Sequence, residues 1–165
     1  MKALILFSHG SLLCGSGEAL DRHAGRLRAS GEWDVVEVGY MNYSSPTFQQ
    51  AVIHCRDAGA RQIVVVPFFL VPGYFVSKSL PEHVDAARVD FPDLTFCIAK
   101  AVGYDERLAD AVIDSALNPI GPDEWRDDLS AAARNCRAYE KCPLFETPAC
   151  PRAPEPGSPP RPYVE

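Results

Sequence analysis

Hydrophobic residues form short runs along the chain, and these runs alternate with segments of helical periodicity. The runs cover residues 3–8, 35–40, 62–70 and 94–99. They are short and rich in β-branched residues, which is typical of buried strands in a parallel sheet. Apolar residues recur at helical spacing within 17–29, 46–58, 80–89 and 106–117. We therefore predict about four strands, each followed by a helix.

The faces and ends of the helices can be predicted from individual residues. The first helix should bury one apolar face, formed by Ala19, Leu20, Ala24 and Leu27. The last should do the same with Leu108, Ala111, Val112 and Ala116. The second should begin at Ser45-Pro46, with Ser45 as the cap and Pro46 in the first turn, and should end at Gly59.

The alternation of strands and helices predicts a parallel sheet with helices on both faces. Right-handed crossovers restrict the topology further. In a flavodoxin-like order, 2-1-3-4, the first and third strands are neighbours, and the loops after them open one crevice at the carboxyl edge of the sheet. That crevice is where we expect a functional site.

The composition changes near residue 120. Residues 1–120 are predicted to form one domain, because a chain of 165 residues supports one well-buried core. Residues 121–134 could form a last helix, but eight prolines follow between 143 and 165. Such a segment cannot bury enough apolar surface to offset its ordering entropy, so 121–165 is predicted to be a C-terminal extension.

Charge and hydropathy argue against several classes of partner. A net charge of -6 disfavours nucleic acid, since phosphate binding needs a cationic surface. No apolar run approaches the roughly 20 residues of a membrane helix. The N-terminal MKALILF is followed at once by polar residues and has no small-residue cleavage site, so we interpret it as a buried strand of a cytoplasmic protein.

Six cysteines in a chain with no predicted signal peptide do not indicate a disulfide framework. Three of them cluster near the C-terminus: Cys136, Cys142 and Cys150. They could bind a metal or an iron–sulfur cluster, with a further ligand from Cys14, a partner chain or a non-cysteine group. Their spacing matches no standard motif, and the alternative is that they are ordinary surface thiols.

His9 is the first candidate for chemistry. It lies where the first strand meets its loop, and Gly10 allows a tight turn or close approach to a ligand. A histidine there can ligate a metal or accept a proton, although a structural capping role is the alternative. The segment lacks the complete motifs of a P-loop and a dinucleotide site, and Ser8 replaces the arginine of a phosphohistidine site.

Five short motifs occur in a characteristic order: His9-Gly10-Ser11, Ser45-Pro46, Ala58-Gly59-Ala60, Val66-Pro67-Phe68-Phe69-Leu70 and Gly73. Together they resemble the small sirohydrochlorin chelatases, the cobaltochelatase and ferrochelatase family of the cobalamin and sirohaem pathways, which has a nickel-inserting relative. The resemblance covers residues 1–117. It implies a flavodoxin-like chelatase domain, a Co²⁺, Fe²⁺ or Ni²⁺ substrate, an acidic tetrapyrrole and a symmetric homodimer.

The resemblance also implies roles for individual residues. His9 would be the metal ligand or proton acceptor, and Ser11 and Gly73 would line the crevice around the substrate. From their own chemistry, Tyr74 and Phe75 could stack on the macrocycle or simply pack under the loop, and Lys78 could meet a substrate carboxylate or simply face water. Arg22 could likewise meet a carboxylate. The family pattern Gly-x-His-x-x-x-Asp-x-Pro has Phe75 in place of its second histidine and Ser79 in place of its aspartate. A homologue that binds a tetrapyrrole, metal or partner without turnover is therefore the alternative hypothesis.

The other histidines are expected to be structural or to lie at the surface. His83 is predicted to be a solvated residue in the first turn of the third helix. His23 and His54 fall inside predicted helices.

Overall fold

The computed structural model describes residues 1–11, 16–119 and 121. Four parallel strands form one sheet in the order β2-β1-β3-β4. They are β1 (Lys2–Ser8), β2 (Val35–Tyr40), β3 (Gln62–Pro67) and β4 (Thr95–Ile98). The predicted α/β class and the flavodoxin-like strand order are confirmed.

The helices follow the strands as the periodicity predicts. They are α1 (Ser16–Ser30), α2 (Phe48–Asp57), α3 (Leu80–Asp90) and α4 (Glu106–Leu117), and a π-helical turn (Phe75–Ser79) leads directly into α3. β3 ends at Pro67 instead of continuing to residue 70. Proline has no amide hydrogen for the ladder, and the chain leaves β3 with the Phe68 amide bonded to the Phe7 carbonyl at 2.7 Å.

The predicted start of α2 at Ser45 is wrong. Thr47 is the N-cap, and its side chain accepts a hydrogen bond from the Gln50 amide while the Gln50 side chain accepts one from the Thr47 amide. This reciprocal arrangement satisfies two amides that would otherwise lack partners. Ser45 precedes it in a cis peptide bond with Pro46.

Each face of the sheet has its own core. One face packs against α2 and α3 through Ile5, Phe7, Ile63, Val65, Val52, Leu80 and Val84. The other packs against α1 through Leu4, Leu6, Val36, Val38, Leu20 and Ala24. Ala19, predicted to lie on the buried face of α1, is exposed, because Gly17, Leu20 and Ala24 turn toward the sheet instead.

The connection from β4 to α4 follows the carboxyl edge of the sheet. Backbone hydrogen bonds join Val102 to Pro67 and Gly103 to Phe69. Asp105 then caps α4, and its hydrogen bond from the Arg107 side chain helps to lower its pKa to about 2. The apolar face predicted for α4 is present, but no residue of this fully described helix is buried.

The C-terminal extension, residues 121–165, lies outside the described residues apart from Gly121. None of the described helices is long and apolar enough to cross a membrane.

Candidate functional site

His9 follows β1 at the carboxyl edge of the sheet. The segment after β2 lies against it, with the Met41 amide donating to the Ser8 carbonyl and the Asn42 amide to the His9 carbonyl, both at 2.9 Å. Gly10 adopts a φ of +84°, and a Cβ there would lie 1.8 Å from the Asn42 carbonyl oxygen. Glycine is therefore required beside the histidine for both conformation and space.

The ring of His9 lies within a group of aromatic side chains. Its centroid is 4.6 Å from that of Phe75 and 5.7 Å from that of Tyr43. Nδ1 is 3.1 Å from the Gly10 carbonyl oxygen. In the tautomer with its proton on Nδ1, this contact is a hydrogen bond, and the Nε2 lone pair remains available to a metal ion or a proton.

The π-helical turn after β3 supplies the other wall of the site. The Gly73 carbonyl accepts hydrogen bonds from the amides of Val76 and Ser77, which starts the turn. Phe75 and Tyr74 are 39% and 62% exposed, unusual for large aromatic side chains. The Lys78 ammonium lies 5.7 Å from the centroid of the Tyr74 ring. Turns of this kind often occur at functional sites.

The loops after β1 and β3 thus meet at one edge, as the strand order predicts. His9 contacts Phe75 directly, and Tyr74 and Lys78 adjoin it through successive ring contacts. The Ser11 amide donates a hydrogen bond to the buried Ser44 hydroxyl at 3.1 Å, which fixes the loop beside His9.

Tyr43 is a site residue that the sequence analysis missed. It adopts a positive φ of 63° and is 43% exposed beside His9. The strand order contained the signal, because β2 is the other neighbour of β1 and its loop must open at the same edge.

His83 is not the solvated histidine that we predicted. It is half-buried, with Nδ1 2.8 Å from the Ser79 carbonyl oxygen and its ring 6.3 Å from Phe7 and 6.2 Å from Phe48. The first turn of α3 continues the π-helical turn, which holds this histidine against the aromatic core. It borders a cavity of about 240 Å³ between α2 and α3.

The remaining histidines agree with their predicted roles. His23 packs against Phe68 with centroids 5.1 Å apart, and His54 lies at the surface 3.8 Å from a Glu37 carboxylate oxygen.

Protein ligands for a metal are few at this edge. The described part of the chain contains no group of three or more His, Cys, Asp or Glu side chains that could hold a metal.

Burial, aided by the charge of Asp21, raises the pKa of Tyr40 to about 12, so its phenol stays neutral. Burial, aided by the charge of Glu37, raises the pKa of the Cys55 thiol to about 12. The predicted cluster ligands Cys136, Cys142 and Cys150 lie outside the described residues.

One imidazole, several exposed rings and an ammonium group can bind a planar anionic molecule and deliver a metal ion or accept a proton at its face. The rings offer stacking area, and the ammonium offers a partner for a carboxylate. The imidazole is the described side chain of this edge best suited to a divalent transition metal.

Comparison with known proteins identifies relatives over most of the described chain. The family model described as CbiX matches residues 3–118. The sirohydrochlorin cobaltochelatase of Methanococcus maripaludis is 30% identical over 141 residues, covering 70% of this chain and 98% of that protein. The chloroplastic sirohydrochlorin ferrochelatase of Arabidopsis thaliana is 26% identical over 144 residues, covering 87% of this chain and 63% of that protein.

A solved structure agrees with the fold. The cobalt complex of the sirohydrochlorin chelatase SirB from Bacillus subtilis subspecies spizizenii aligns with a TM-score of 0.66 at 22% identity. The alignment covers 81% of this chain and 61% of that protein.

Proposed function

This chain belongs to the CbiX family, and from that premise we propose that it is a sirohydrochlorin chelatase that inserts cobalt or iron into an acidic tetrapyrrole. The observation that carries the proposal is the position of His9 at the carboxyl edge, with exposed aromatic rings around it. Its relatives are named for sirohydrochlorin, an acidic tetrapyrrole, which is the substrate class that we propose here. The site offers an imidazole for the metal ion, exposed aromatic rings for the macrocycle and an ammonium group for a carboxylate.

His9 carries the metal chemistry in this proposal. Insertion requires that the ion be held over the ring and that two pyrrole N–H protons leave. Nε2 of His9 can hold the incoming ion or accept a proton, because the Nδ1 contact with Gly10 orients the ring. Ni²⁺ also accepts imidazole, so availability would influence which metal is used.

Substrate binding is assigned to the two loops around His9. Tyr74 and Phe75 would stack on the macrocycle, and Lys78 would meet one of its carboxylates. Ser11 and Gly73 would contribute backbone to the walls of the crevice. This set contains the substrate-binding residues predicted from the sequence.

The wider organisation of the protein is also a proposal. We place the chelatase domain at residues 1–120 and an extension at 121–165, in a cytoplasmic homodimer. An iron–sulfur cluster at Cys136, Cys142 and Cys150 remains a separate prediction. Anaerobic reconstitution tests it, since a bound cluster would give visible absorbance that Cys142→Ser removes.

One observation favours the second candidate, a chelatase homologue that binds without turnover. Phe75 occupies the position where the resemblance implies a second histidine, and its ring faces His9 at 4.6 Å. A pair of imidazoles could divide the jobs of metal ligand and base, whereas here one histidine must serve.

The two candidates differ in turnover. Purified protein is mixed anaerobically with excess sirohydrochlorin and Co²⁺ or Fe²⁺, and the absorbance spectrum is followed with time. We expect the metallated product to form beyond one equivalent and faster than in protein-free controls. A spectral shift that saturates at one equivalent, with product forming at the spontaneous rate, would instead support the binding protein.

A further inference from the structure

Tyr43 belongs to the loop after β2, which reaches His9 from one side while the π-helical turn after β3 reaches it from the other. β1 lies between β2 and β3 in the sheet, so the loops after these two strands approach the end of β1 from opposite sides. The Tyr43 ring lies 5.7 Å from the His9 ring, and the Phe75 ring lies 4.6 Å from it. Each neighbouring loop therefore brings one exposed aromatic ring to the imidazole.

The backbone of Tyr43 has a conformation that a tyrosine rarely adopts. Its φ is 63°, in the left-handed region where large side chains are uncommon. The Ser44 amide donates to the Asn42 carbonyl at 2.7 Å, which closes a three-residue turn around Tyr43. Such a turn with a positive φ at its centre is rare and strained. Glycine or asparagine would adopt this conformation more readily than tyrosine does.

Both neighbours of Tyr43 are tied to the loop that carries His9. The Asn42 amide donates to the His9 carbonyl at 2.9 Å, and the Ser44 hydroxyl accepts a hydrogen bond from the Ser11 amide at 3.1 Å. The strained conformation is thus held from both ends. Its ring is consequently fixed beside His9 before any ligand arrives, which lowers the ordering cost of binding.

Packing of the protein interior does not account for this tyrosine. Tyr43 is 43% exposed and belongs to neither of the two cores that the described residues form. A strained residue that the surrounding structure holds in place is typical of ligand clamps and active sites. The exposed ring beside His9 is therefore better explained by a ligand than by folding.

The geometry of metal insertion indicates what that ligand surface is. The ion enters the centre of the macrocycle, so the residue that delivers it must lie near that centre. The macrocycle then extends from His9 on every side, over the loop after β2 as well as over the turn after β3. Tyr74 and Phe75 support only the second of these parts.

We propose that Tyr43 is a further substrate-binding residue, whose ring stacks on the part of the macrocycle that extends from His9 toward β2. Aromatic rings in offset contact supply large apolar area and a favourable stacking geometry, and the ring alone provides both. This proposal rests on the proposed function, and it adds the loop after β2 to the substrate site.

The test is the affinity of the full-length protein for metal-free sirohydrochlorin, measured anaerobically by absorbance titration. Tyr43→Asn removes the ring and suits the left-handed backbone, so it separates the ring from the fold of the loop. We expect its Kd to rise about tenfold while its thermal midpoint stays as high as that of the natural protein or increases. Tyr43→Phe keeps the ring and should bind within about twofold of the natural protein.

Two controls separate substrate contact from indirect effects. Val89→Asn changes an exposed apolar residue in the last turn of α3 and should leave the Kd for sirohydrochlorin unchanged. Titration with Co²⁺ alone should give the same affinity for Tyr43→Asn and the natural protein, because the Gly10 carbonyl and not Tyr43 holds Nδ1 of His9.

Three results would overturn the role of Tyr43: an unchanged Kd for sirohydrochlorin in Tyr43→Asn, a Tyr43→Phe protein that binds as weakly as Tyr43→Asn, and a parallel loss of Co²⁺ affinity. A natural protein that binds sirohydrochlorin without turnover would refute the chelatase and leave this role intact. A natural protein that binds no sirohydrochlorin would refute both.

Discussion

At the scale of single residues, Phe75 decides how many imidazoles the site can offer. Its ring faces His9 at a centroid distance of 4.6 Å. Two imidazole nitrogens that share one ion each lie about 2.0–2.1 Å from it. The present spacing is therefore compatible with a two-histidine site if the phenyl ring is replaced by an imidazole.

We expect Phe75→His to bind Co²⁺ more tightly than the natural protein, by about tenfold or more, because a second imidazole joins His9. Calorimetric titration of both proteins measures the difference. Phe75 is 39% exposed, so the new polar ring should reduce the free energy of unfolding by no more than about 1–3 kcal/mol. Phe75→Leu is the control, since it removes the ring without adding nitrogen. Equal affinity in all three proteins would remove His9 and Phe75 from the metal site.

Substitution of Gly10 tests the backbone conformation of the loop beside His9. Gly10→Ala should lower the free energy of unfolding by about 1–3 kcal/mol or more, because the residue has a positive φ and its Cβ would collide with the Asn42 carbonyl. Gly25→Ala, in the middle of α1 with open space around the added carbon, should raise it by about 0.5–1 kcal/mol. Denaturant unfolding measures both. A Gly10→Ala protein as stable as its parent would contradict the loop geometry.

The sequence predicted His9, Tyr74 and Phe75 at one edge because strand order alone brings their loops together. It did not predict Tyr43 beside His9. The strand order places the loop after β2 at the same edge, but the approach of Tyr43 to His9 depends on backbone hydrogen bonds from that loop to Ser8 and His9. It also missed the burial of His83, which depends on the π-helical turn that precedes α3.

At the scale of elements, Thr47 and Ser45 are two candidate caps for the start of α2, and their substitutions should differ in effect. Thr47→Ala should lower the free energy of unfolding by about 1 kcal/mol, because it removes the acceptor of the Gln50 amide. Ser45→Ala, at the exposed position that the sequence suggested, should change it by less than about 0.5 kcal/mol. Thermal or denaturant unfolding of the two variants provides the comparison. The reverse order of effects would show that the helix begins where the sequence pattern placed it.

Element types and their order were predictable because hydrophobic periodicity differs between strands and helices. The residues at which strands and helices end were less predictable. β3 stops at Pro67 although the apolar run continues to Leu70, because the hydrophobic pattern does not show where the pairing with β1 and β4 ends.

At the scale of the whole molecule, the doubly wound sheet and the family were both predictable. The sheet followed from the alternation of elements, and the family followed from the motifs and is confirmed by the family model that matches residues 3–118. The exposed position of α4 was not predictable, since its periodicity shows that it has an apolar face but not which surface covers it.

The initial rate of Co²⁺ insertion into sirohydrochlorin tests whether His9 acts as metal ligand or base. We expect the natural protein to exceed the spontaneous rate and His9→Ala to lower the catalysed rate by about 10²-fold or more, while circular dichroism remains unchanged. His54→Ala, which removes a histidine from the exposed surface of α2, is the matched control and should retain the full rate. If the His9→Ala protein inserts the metal as fast as its parent, His9 has no part in the insertion.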